Sequence, residues 1–390
     1  MRGIGVTVKQ QLRQALEEAA RRVARDGCCA LEGLPAFWVE RPADPVLGDY
    51  ATNLALVLAR ERREPPHPVA EDLAAALAAE SDLCDKVAVA GPGFLNVTFR
   101  PNFLRAVVRR VLAEEAAYGS CEGLRGQRIT IEFPAADPGG PLHFGRGAAI
   151  GEVLANLMVA AKAEVSTRGH PSGRVDRVVR IQGPDCPTDR RMAAGASPSQ
   201  DSLAYGEVRL VRSGEPVLAL RRGDGLLALE ELIDEVGSET ARFFFLLRSP
   251  DSWLDFDVDL ATAESERNPL YFAQSAHARV CGVLRAAATR GLAAGDADLS
   301  PLSGTQEVAL IRKIADLPDE IRGGALQNQP HRLTRYAVEL AAALHAFHAE
   351  CCVLGDNKGV SAARVCLTEA AGIALQNTLR LLAITAPERM

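Results

Sequence analysis

Residues 133–158, FPAADPGGPLHFGRGAAIGEVLANLM, decide how the whole chain is read. A Gly/Pro-rich turn carries one histidine, His143, and then Ile150, Val153, Leu154, Leu157 and Met158, with Ala161 beyond, recur at the helical period as one apolar face. Ahead of the turn, QRITIEFPA alternates Ile129, Ile131 and Phe133 with Thr130 and Glu132, which is a strand pattern. Strand, glycine turn and helix in this order open a nucleotide-binding α/β unit, because free backbone amides at a helix start attract anions. A second strand, DRVVRIQG, follows STRGHPSG, and YGEVRLVRSGEPV predicts a hairpin around Ser213-Gly214. Two strands and one helix are few for a doubly wound sheet, whose nucleotide-binding half repeats strand-helix units. The unit is therefore expected to be truncated.

Outward from this stretch the pattern changes on both sides. Towards the amino terminus, residues 8 to 26 and 67 to 80 have helical periodicity, and RPADPVLGDYATNLALVLARERREPP predicts a turn-rich segment leading into a helix from Tyr50. DKVAVAGPGFLNVTFRP reads as two strands broken at Gly91-Pro92-Gly93, and PNFLRAVVRRVLAEEAAYG as a helix. Towards the carboxyl terminus almost everything is helical. NPLYFAQSAHARVCGVLRAAA, TQEVALIRKIADLPDEIRG, HRLTRYAVELAAALHAFHAEC and AARVCLTEAAGIALQNTLRLLAI each carry the wide apolar stripe of an antiparallel bundle helix. The fold class is α/β plus all-α: a small α+β domain over 1–120, a truncated Rossmann-type unit over 126–255 and a helical bundle over 256–390.

A chain of 390 residues exceeds one ordinary core, in keeping with that division. Its 47% hydrophobic and 24% charged residues are those of a globular protein; with no membrane-length apolar run and no signal-peptide core in MRGIGVTVKQQLRQALEEAA, a cytoplasmic location is expected. The nine cysteines, Cys28, Cys29, Cys351 and Cys352 among them, lack metal-ligand spacing and read as reduced thiols, so no metal is expected. A net charge of −6 neither supports nor excludes an RNA partner.

Several strings, in this order, resemble the arginyl-tRNA synthetase family. GDYATNLALVLAR with VAGPGFLNVTF is similar to its amino-terminal domain, which in the family reaches the outer corner of tRNA; DEVGSETARFFFLLRSPDSWLDFDVDLA is similar to the end of its catalytic domain. NPLYFAQSAHARVCGVLR, PHRLTRYAVELAAALHAFHAECCVLGD and the ending APERM resemble its anticodon-binding domain. The family's first signature reads Pro-Leu-His-x-Gly-His-Gly-Arg-Gly. Here Pro141, Leu142, His143, Phe144 and Gly145 run straight into Arg146 and Gly147, so a His-Gly pair is missing. In the family both histidines grip the ATP phosphates; losing one donor aimed at developing charge typically costs on the order of a hundredfold or more.

The second signature, Lys-Met-Ser-Lys-Arg-x-Gly, corresponds to VLALRRGDG, with Leu218 at the first lysine, Leu220 at the serine and Arg221 at the second lysine. A planar guanidinium does not replace a mobile ammonium like for like. Asp137 stands where the family has Asn, and only ten residues separate Val165 from Asp176 where the family places a long segment with most of its arginine pocket. The resemblance thus implies a protein without aminoacylation activity, with ATP binding doubtful and no cofactor. His143 and Gly145 remain as a shortened turn, Asp185 (beside Cys186, where the family has His) reads as a turn cap rather than a ribose contact, and Arg221 as a solvated turn residue.

The bundle strings are nearly intact, and the resemblance implies RNA contact there, most plausibly with tRNA(Arg) in a regulatory or delivery role; the alternatives are a regulatory or protein-interaction subunit without RNA binding, and residual arginine–tRNA ligase or ATP-dependent activity. Tyr271, Gln274, His277 and Arg279 share one helix, with Tyr271, Gln274 and Arg279 spaced to reach a common side, and Arg332, Arg335 and Tyr336 follow on a later helix as backbone contacts. The competing reading is that Tyr271 and His277 are buried bundle residues. The shortened α/β unit carries a further expectation: Val178, Val179 and Ile181 in one strand and Val208, Leu210 and Val211 in another exceed what one helix covers, so a homodimer or protein partner is expected at the exposed sheet, unless AAGASPSQDSLAY folds back over it.

Overall fold

The computed structural model describes residues 6–26, 34–80, 82–135, 141–167, 175–183, 199–217, 229–292, 295 and 297–390. Helix α1 (Val8–Asp26) starts at a capping box: the Thr7 hydroxyl accepts the Gln10 amide at 3.1 Å while the Gln10 side chain accepts the Thr7 amide at 3.0 Å. Strands β1 (Val39–Glu40) and β2 (Tyr50–Thr52) precede α2 (Leu54–Arg62) and α3 (Pro66–Glu80). The helix expected from Tyr50 therefore begins later, because Tyr50 and Thr52 pair with Val97 and Leu95 across an antiparallel ladder. The hairpin β3 (Cys84–Ala90) and β4 (Phe94–Phe99) turns at Gly91–Gly93, giving a sheet of order β1-β2-β4-β3, followed by α4 (Pro101–Glu114). The turn after α4 is tied to the far end of the chain: Asn377 donates to the carbonyls of Glu115 (2.8 Å) and Tyr118 (3.1 Å), and Arg380 to that of Ala116 (2.6 Å).

The middle of the chain holds β5 (Arg128–Glu132), α5 (Leu142–Ala160), β6 (Glu164–Ser166), β7 (Arg177–Gln182) and β8 (Ser199–Ala204), a parallel sheet of order β6-β5-β7-β8. This has two strands more than expected there. Glu164–Ser166 is very short, and SQDSLA has a single large apolar residue, so neither carries a strand signal; both are strands because β5 and β7 offer them a ladder. The hairpin expected at Ser213-Gly214 forms from β9 (Val208–Arg212) and β10 (Glu215–Pro216), with φ of 52° and 80° at the two turn residues. After α6 (Leu229–Val236) and α7 (Ser238–Phe245), β11 (Leu254–Asp257) pairs parallel to β9 in a separate sheet, and α8 (Val258–Thr262) follows.

Of the six apolar residues expected to exceed what one helix covers, Val178, Val208 and Val211 are half-buried and the other three are buried. Val179 and Ile181 are buried with Ile129 and Ile131 beneath α5, and Leu210 is buried in the second sheet. The opposite face carries the half-buried Val178 and the buried Thr130 together with polar pairs: Glu132 accepts from Arg180 Nε at 2.6 Å, Arg180 reaches Gln200 at 3.5 Å, and Ser202 donates to Gln182 at 2.9 Å. Alternation of buried apolar and solvated polar residues lets a sheet keep one face in water. Of the segment AAGASPSQDSLAY, the described residues Ser199–Ala204 extend the sheet as β8, and residues 193–198 lie outside the described residues. None of the exposed large apolar side chains among the described residues, Val46, Leu47, Val159, Trp253 and Met390, lies on this sheet.

The bundle comprises α9 (Pro269–Thr289), α10 (Thr305–Gln327), α11 (His331–Glu350) and α12 (Lys358–Leu381), at the positions the apolar stripes predict. Asn268 and Asn357 cap α9 and α12, each side-chain oxygen accepting two backbone amides. Among the described residues no helix is long and apolar enough to cross a membrane, and no cluster of three metal-ligating side chains occurs.

Candidate functional site

The turn that opened the reading starts α5 directly. Pro141 precedes the first helical residue, Leu142, and His143 lies in the first turn. Its ring meets Phe144 edge-on at 4.7 Å and stands 6.5 Å from Tyr205, and its Nε2, shut off from solvent, has no hydrogen-bond partner among the described residues. Tyr205 follows β8 and is buried. A methyl group on Gly147 would lie 2.7 Å from its ring, and one on Gly183 would lie 2.5 Å from its hydroxyl. These glycines sit at the start of α5 and the end of β7. Strand order reverses between β5 and β7, and in open α/β sheets the ligand crevice lies at such a reversal, outside the carboxyl ends of the strands. Here an aromatic ring packs into that corner.

Arg146, whose role the sequence did not disclose, is fully buried beside His143. Its guanidinium donates to the carbonyls of Gly206 (2.9 Å), Ser252 (2.6 Å), Ser249 (2.9 Å) and Phe245 (3.4 Å). Burial lowers its pKa to about 10, with Asp251 and Tyr205 opposing. A charge with several aimed acceptors tolerates burial, so Arg146 fastens the start of α5 to the turn before β11. Gly145 is buried on the same helix, whereas Asp137, Asp185, Leu218, Leu220 and Arg221 lie outside the described residues.

On the bundle the expected contacts separate. Gln274 donates to the Thr385 carbonyl at 3.1 Å, a His277 ring nitrogen lies 2.9 Å from the Pro387 carbonyl, and Arg285 donates to Glu388 at 3.2 Å. This stripe of α9 is thus covered by the chain's own residues 385–388, and His277 is buried as its competing reading had it. Five residues at about 100° each carry Arg279 about 140° around the helix from Gln274, so the two do not share a side. Arg279 is exposed and Tyr271 half-buried. Beside them Phe272 stacks on His345 with centroids 4.7 Å apart. Burial lowers the pKa of His345, with Arg279 adding and the Phe272 carbonyl and Glu266 opposing; it lowers that of His348 to about 4, with Arg279 and His345 adding.

Arg332, Arg335 and Tyr336 belong to the other end of α11. Arg332 precedes His345 by thirteen residues, roughly 20 Å of helix. Arg332 pairs with Glu320 at 2.9 Å, and the exposed Arg335 lies 3.7 Å from both Glu320 and Glu339. Tyr336 is corrected to a core residue: it is buried, and its hydroxyl donates to the Lys313 carbonyl at 3.0 Å. An aromatic residue on an otherwise apolar helix face gives no sequence sign of which end reaches solvent.

With this geometry in hand, likeness to known proteins is specific. The "Arginyl tRNA synthetase N terminal domain" model matches residues 7–99, and the "DALR anticodon binding domain" model matches residues 273–390. The arginine–tRNA ligase of Moorella thermoacetica is 30% identical over 553 aligned positions, covering 98% of this chain and 99% of that protein. The chain belongs to the arginyl-tRNA synthetase family. The Desulfitobacterium hafniense arginine–tRNA ligase is 29% identical, covering 99% of each chain. Among solved structures of the family, Thermus thermophilus arginyl-tRNA synthetase matches with a TM-score of 0.72 at 16% identity, covering 98% of this chain and 100% of that one. The Plasmodium falciparum arginyl-tRNA synthetase matches with a TM-score of 0.71 at 10% identity, covering 100% of both; at such identities these two speak for the fold. Against the Moorella synthetase, at least 163 of the 553 aligned positions find no counterpart in a chain of 390 residues.

Proposed function

We propose that this member of the arginyl-tRNA synthetase family binds tRNA, most plausibly tRNA(Arg), without forming arginyl-adenylate, and serves a regulatory or delivery role. The observation that carries the reading is the deficit of at least 163 aligned positions in a chain whose two ends both match family models. It supports a loss from the middle, the Rossmann-type unit of the division 1–120, 126–255 and 256–390. The missing His-Gly pair, Leu218 and Arg221 in place of lysines, and Tyr205 packed between Gly147 and Gly183 support it further. On this reading His143 and Asp185 are inherited turn residues, and neither ATP nor another cofactor is bound.

RNA contact is assigned to Tyr271 and Arg279, beside the Phe272–His345 stack, with Arg335 as a more distant phosphate contact. Gln274, His277 and Tyr336 are withdrawn from the contact set because their polar atoms serve the fold. A second copy or protein partner, expected at an apolar sheet face, finds no such face among the described residues and has no place in this reading. Two assays test it. Arginine-dependent exchange of pyrophosphate into ATP is expected to stay at the no-enzyme blank, and signal above it ends the non-catalytic part. Binding of tRNA is expected to weaken steeply as salt rises, because phosphate contacts release counterions; weak, salt-insensitive binding of all RNAs ends the RNA part.

A further inference from the structure

The two ends of the chain that match family models touch each other directly. Arg41 Nε contacts both carboxylate oxygens of Asp316, at 2.9 and 3.1 Å, its Nη2 donates to the Arg312 carbonyl at 3.0 Å, and its guanidinium lies over the Tyr50 ring at 4.8 Å. Arg312 pairs in turn with the buried Asp49, which also accepts the Phe99 amide at 2.7 Å. Tyr118, just after α4, donates to the Ile314 carbonyl at 2.9 Å. Helix α4 itself reaches the segment ahead of α10: Arg105 donates to the carbonyls of Ser300 (2.7 Å) and Leu302 (3.2 Å), and Arg109 to that of Ala297 (3.1 Å). This seam fastens the amino-terminal domain along α10 and the stretch leading into it, through bonds in which the middle unit takes no part.

From the seam, α10 packs on α11 and α11 on α9, which leads to the Phe272–His345 stack with Tyr271 and Arg279 beside it. On the other side, the amino-terminal sheet turns Leu95, Val97 and Phe99 into the core, and alternation places Phe94, Asn96 and Thr98 on its opposite face. There Ala51 and Ala88 lie directly across from Asn96, and Trp38 meets Phe94 with ring centroids 5.9 Å apart. Both rings are half-buried. Aromatic rings partly open to solvent on a four-stranded sheet, with small side chains around them, form a platform of the kind on which unpaired bases stack.

We propose that the seam is a spacer for RNA: it fixes the distance and angle between the Trp38–Phe94 face and the Tyr271–Arg279 surface, so that one tRNA is held at both places at once, whatever the length of chain between them. This rests on the RNA reading above and adds what sets its geometry. In sequence the two surfaces are joined only through the middle unit, to which that reading assigns the loss of at least 163 aligned positions. Were the middle to set their separation, its shortening would change it; ion pairs made directly between the ends do not depend on it. Two linked contacts gain affinity because the second forms intramolecularly, and the gain vanishes when geometry forbids engaging both. A stiff spacer therefore selects RNAs whose unpaired bases lie at one separation.

Binding of three RNAs to the full chain reads the spacer: a tRNA(Arg) transcript, its isolated anticodon hairpin, and the transcript with base pairs inserted in the anticodon stem, which shift and rotate the anticodon relative to the rest. The transcript is expected to bind at least about a hundredfold tighter than the hairpin, and the insertion to remove most of that gain. Arg41→Met with Asp49→Asn opens the seam without stranding a charge, since Asp316 keeps Lys313 at 3.6 Å and Arg312 is partly exposed. In this variant hairpin binding is expected to stay unchanged, transcript binding to fall about tenfold or more, and the insertion to cost little further. Trp38→Ala is expected to weaken binding of the transcript alone. A transcript bound no better than the hairpin, an insertion without effect in the unmodified chain, or equal losses for hairpin and transcript in either variant overturns the proposal and leaves the RNA reading standing. Weak, salt-insensitive binding of every RNA ends that reading and the proposal with it. Should the seam variant fail to fold, the insertion in the unmodified chain decides.

Discussion

The ring of Tyr205 fills the space that a side chain at Gly147 would need, leaving 2.7 Å where a methyl carbon requires a normal van der Waals separation. Gly147→Ala is therefore expected to destabilise the chain by about 1–3 kcal/mol through overpacking, and Tyr205→Ala by about 3–5 kcal/mol through the cavity it leaves. The double variant should cost less than the sum, because Tyr205→Ala removes one of the two groups that the new methyl meets, Pro134 being the other, and the methyl fills part of the cavity. Urea unfolding of the four proteins measures the coupling, and strict additivity would show that the two residues do not meet.

Arg146 supplies donors to four carbonyls, of which that of Ser249 also accepts from the Ser252 hydroxyl and amide. Arg146→Leu keeps an apolar body but strands these groups, at about 1–3 kcal/mol for each that finds no new partner. A total loss of about 3 kcal/mol or more is expected in chemical denaturation. Arg146→Lys should recover only part of it, since one ammonium does not span the fork. Full recovery with lysine would mean that charge alone, rather than planar geometry, fastens α5.

The acid side of the stability curve has a contributor in His348. His348 titrates near 4 in the folded chain and near 6.5 when unfolded, so the unfolded chain binds the extra proton between those values. Its contribution is complete above about pH 6.5 and is lost as pH falls towards 4. His348→Asn should flatten this limb of a denaturation midpoint plotted against pH. An unchanged slope would remove His348 as its source.

RNA binding should respond to position rather than to residue type. Tyr271→Ala is expected to weaken tRNA binding by ~1–3 kcal/mol if its ring stacks on a base. Arg279→Ala should lower both the affinity and the steepness of its salt dependence. Tyr336→Phe should leave RNA affinity unchanged and reduce thermal stability, because its hydroxyl serves Lys313 inside the bundle. Filter binding at several salt concentrations separates these outcomes, and an RNA-specific defect in Tyr336→Phe would contradict the buried assignment.

Adjacent valines on β7 face opposite environments. Val179→Asp places a carboxylate beneath α5 and is expected to cost on the order of 3 kcal/mol or more, whereas Val178→Asp joins the polar face with Arg180 and should be far milder. Circular dichroism melts of both variants check this. Equal damage would mean that the polar face is covered after all.

How much of this was legible beforehand follows from what each residue does. The bundle helices, the hairpin at Gly91–Gly93 and the turn at Ser213-Gly214 were readable because local periodicity and turn chemistry fix them. The polar face of β7 was also written in RVVRIQ, where Val179 and Ile181 alternate with Arg180 and Gln182; counting apolar residues without assigning them to faces hid it. Strand β8 was not readable, since Ser199 to Ala204 extends only because β7 pairs with it. The separation of Gln274 from Arg279 was readable from their five-residue spacing on one helix, whereas the cover of Gln274 and His277 by residues 385–388 was not, because it joins distant parts of the chain. Arg146 stood in the open as part of a signature, yet nothing local reveals four carbonyls from distant turns.

The bonds from Asn377 and Arg380 to the turn after α4 bear on the order in which the molecule is completed. The partners Glu115 and Asn377 stand 262 residues apart in sequence. Contacts of such separation gather late, because the loop they close must be ordered before they return any free energy. The amino-terminal hairpin and helices have local partners and are free to form early, but their seat is finished only when α12 arrives. Refolding should therefore show an early phase of secondary structure and a slower phase in which the two ends of the chain lock, with Asn377→Ala speeding unfolding far more than it slows the first phase.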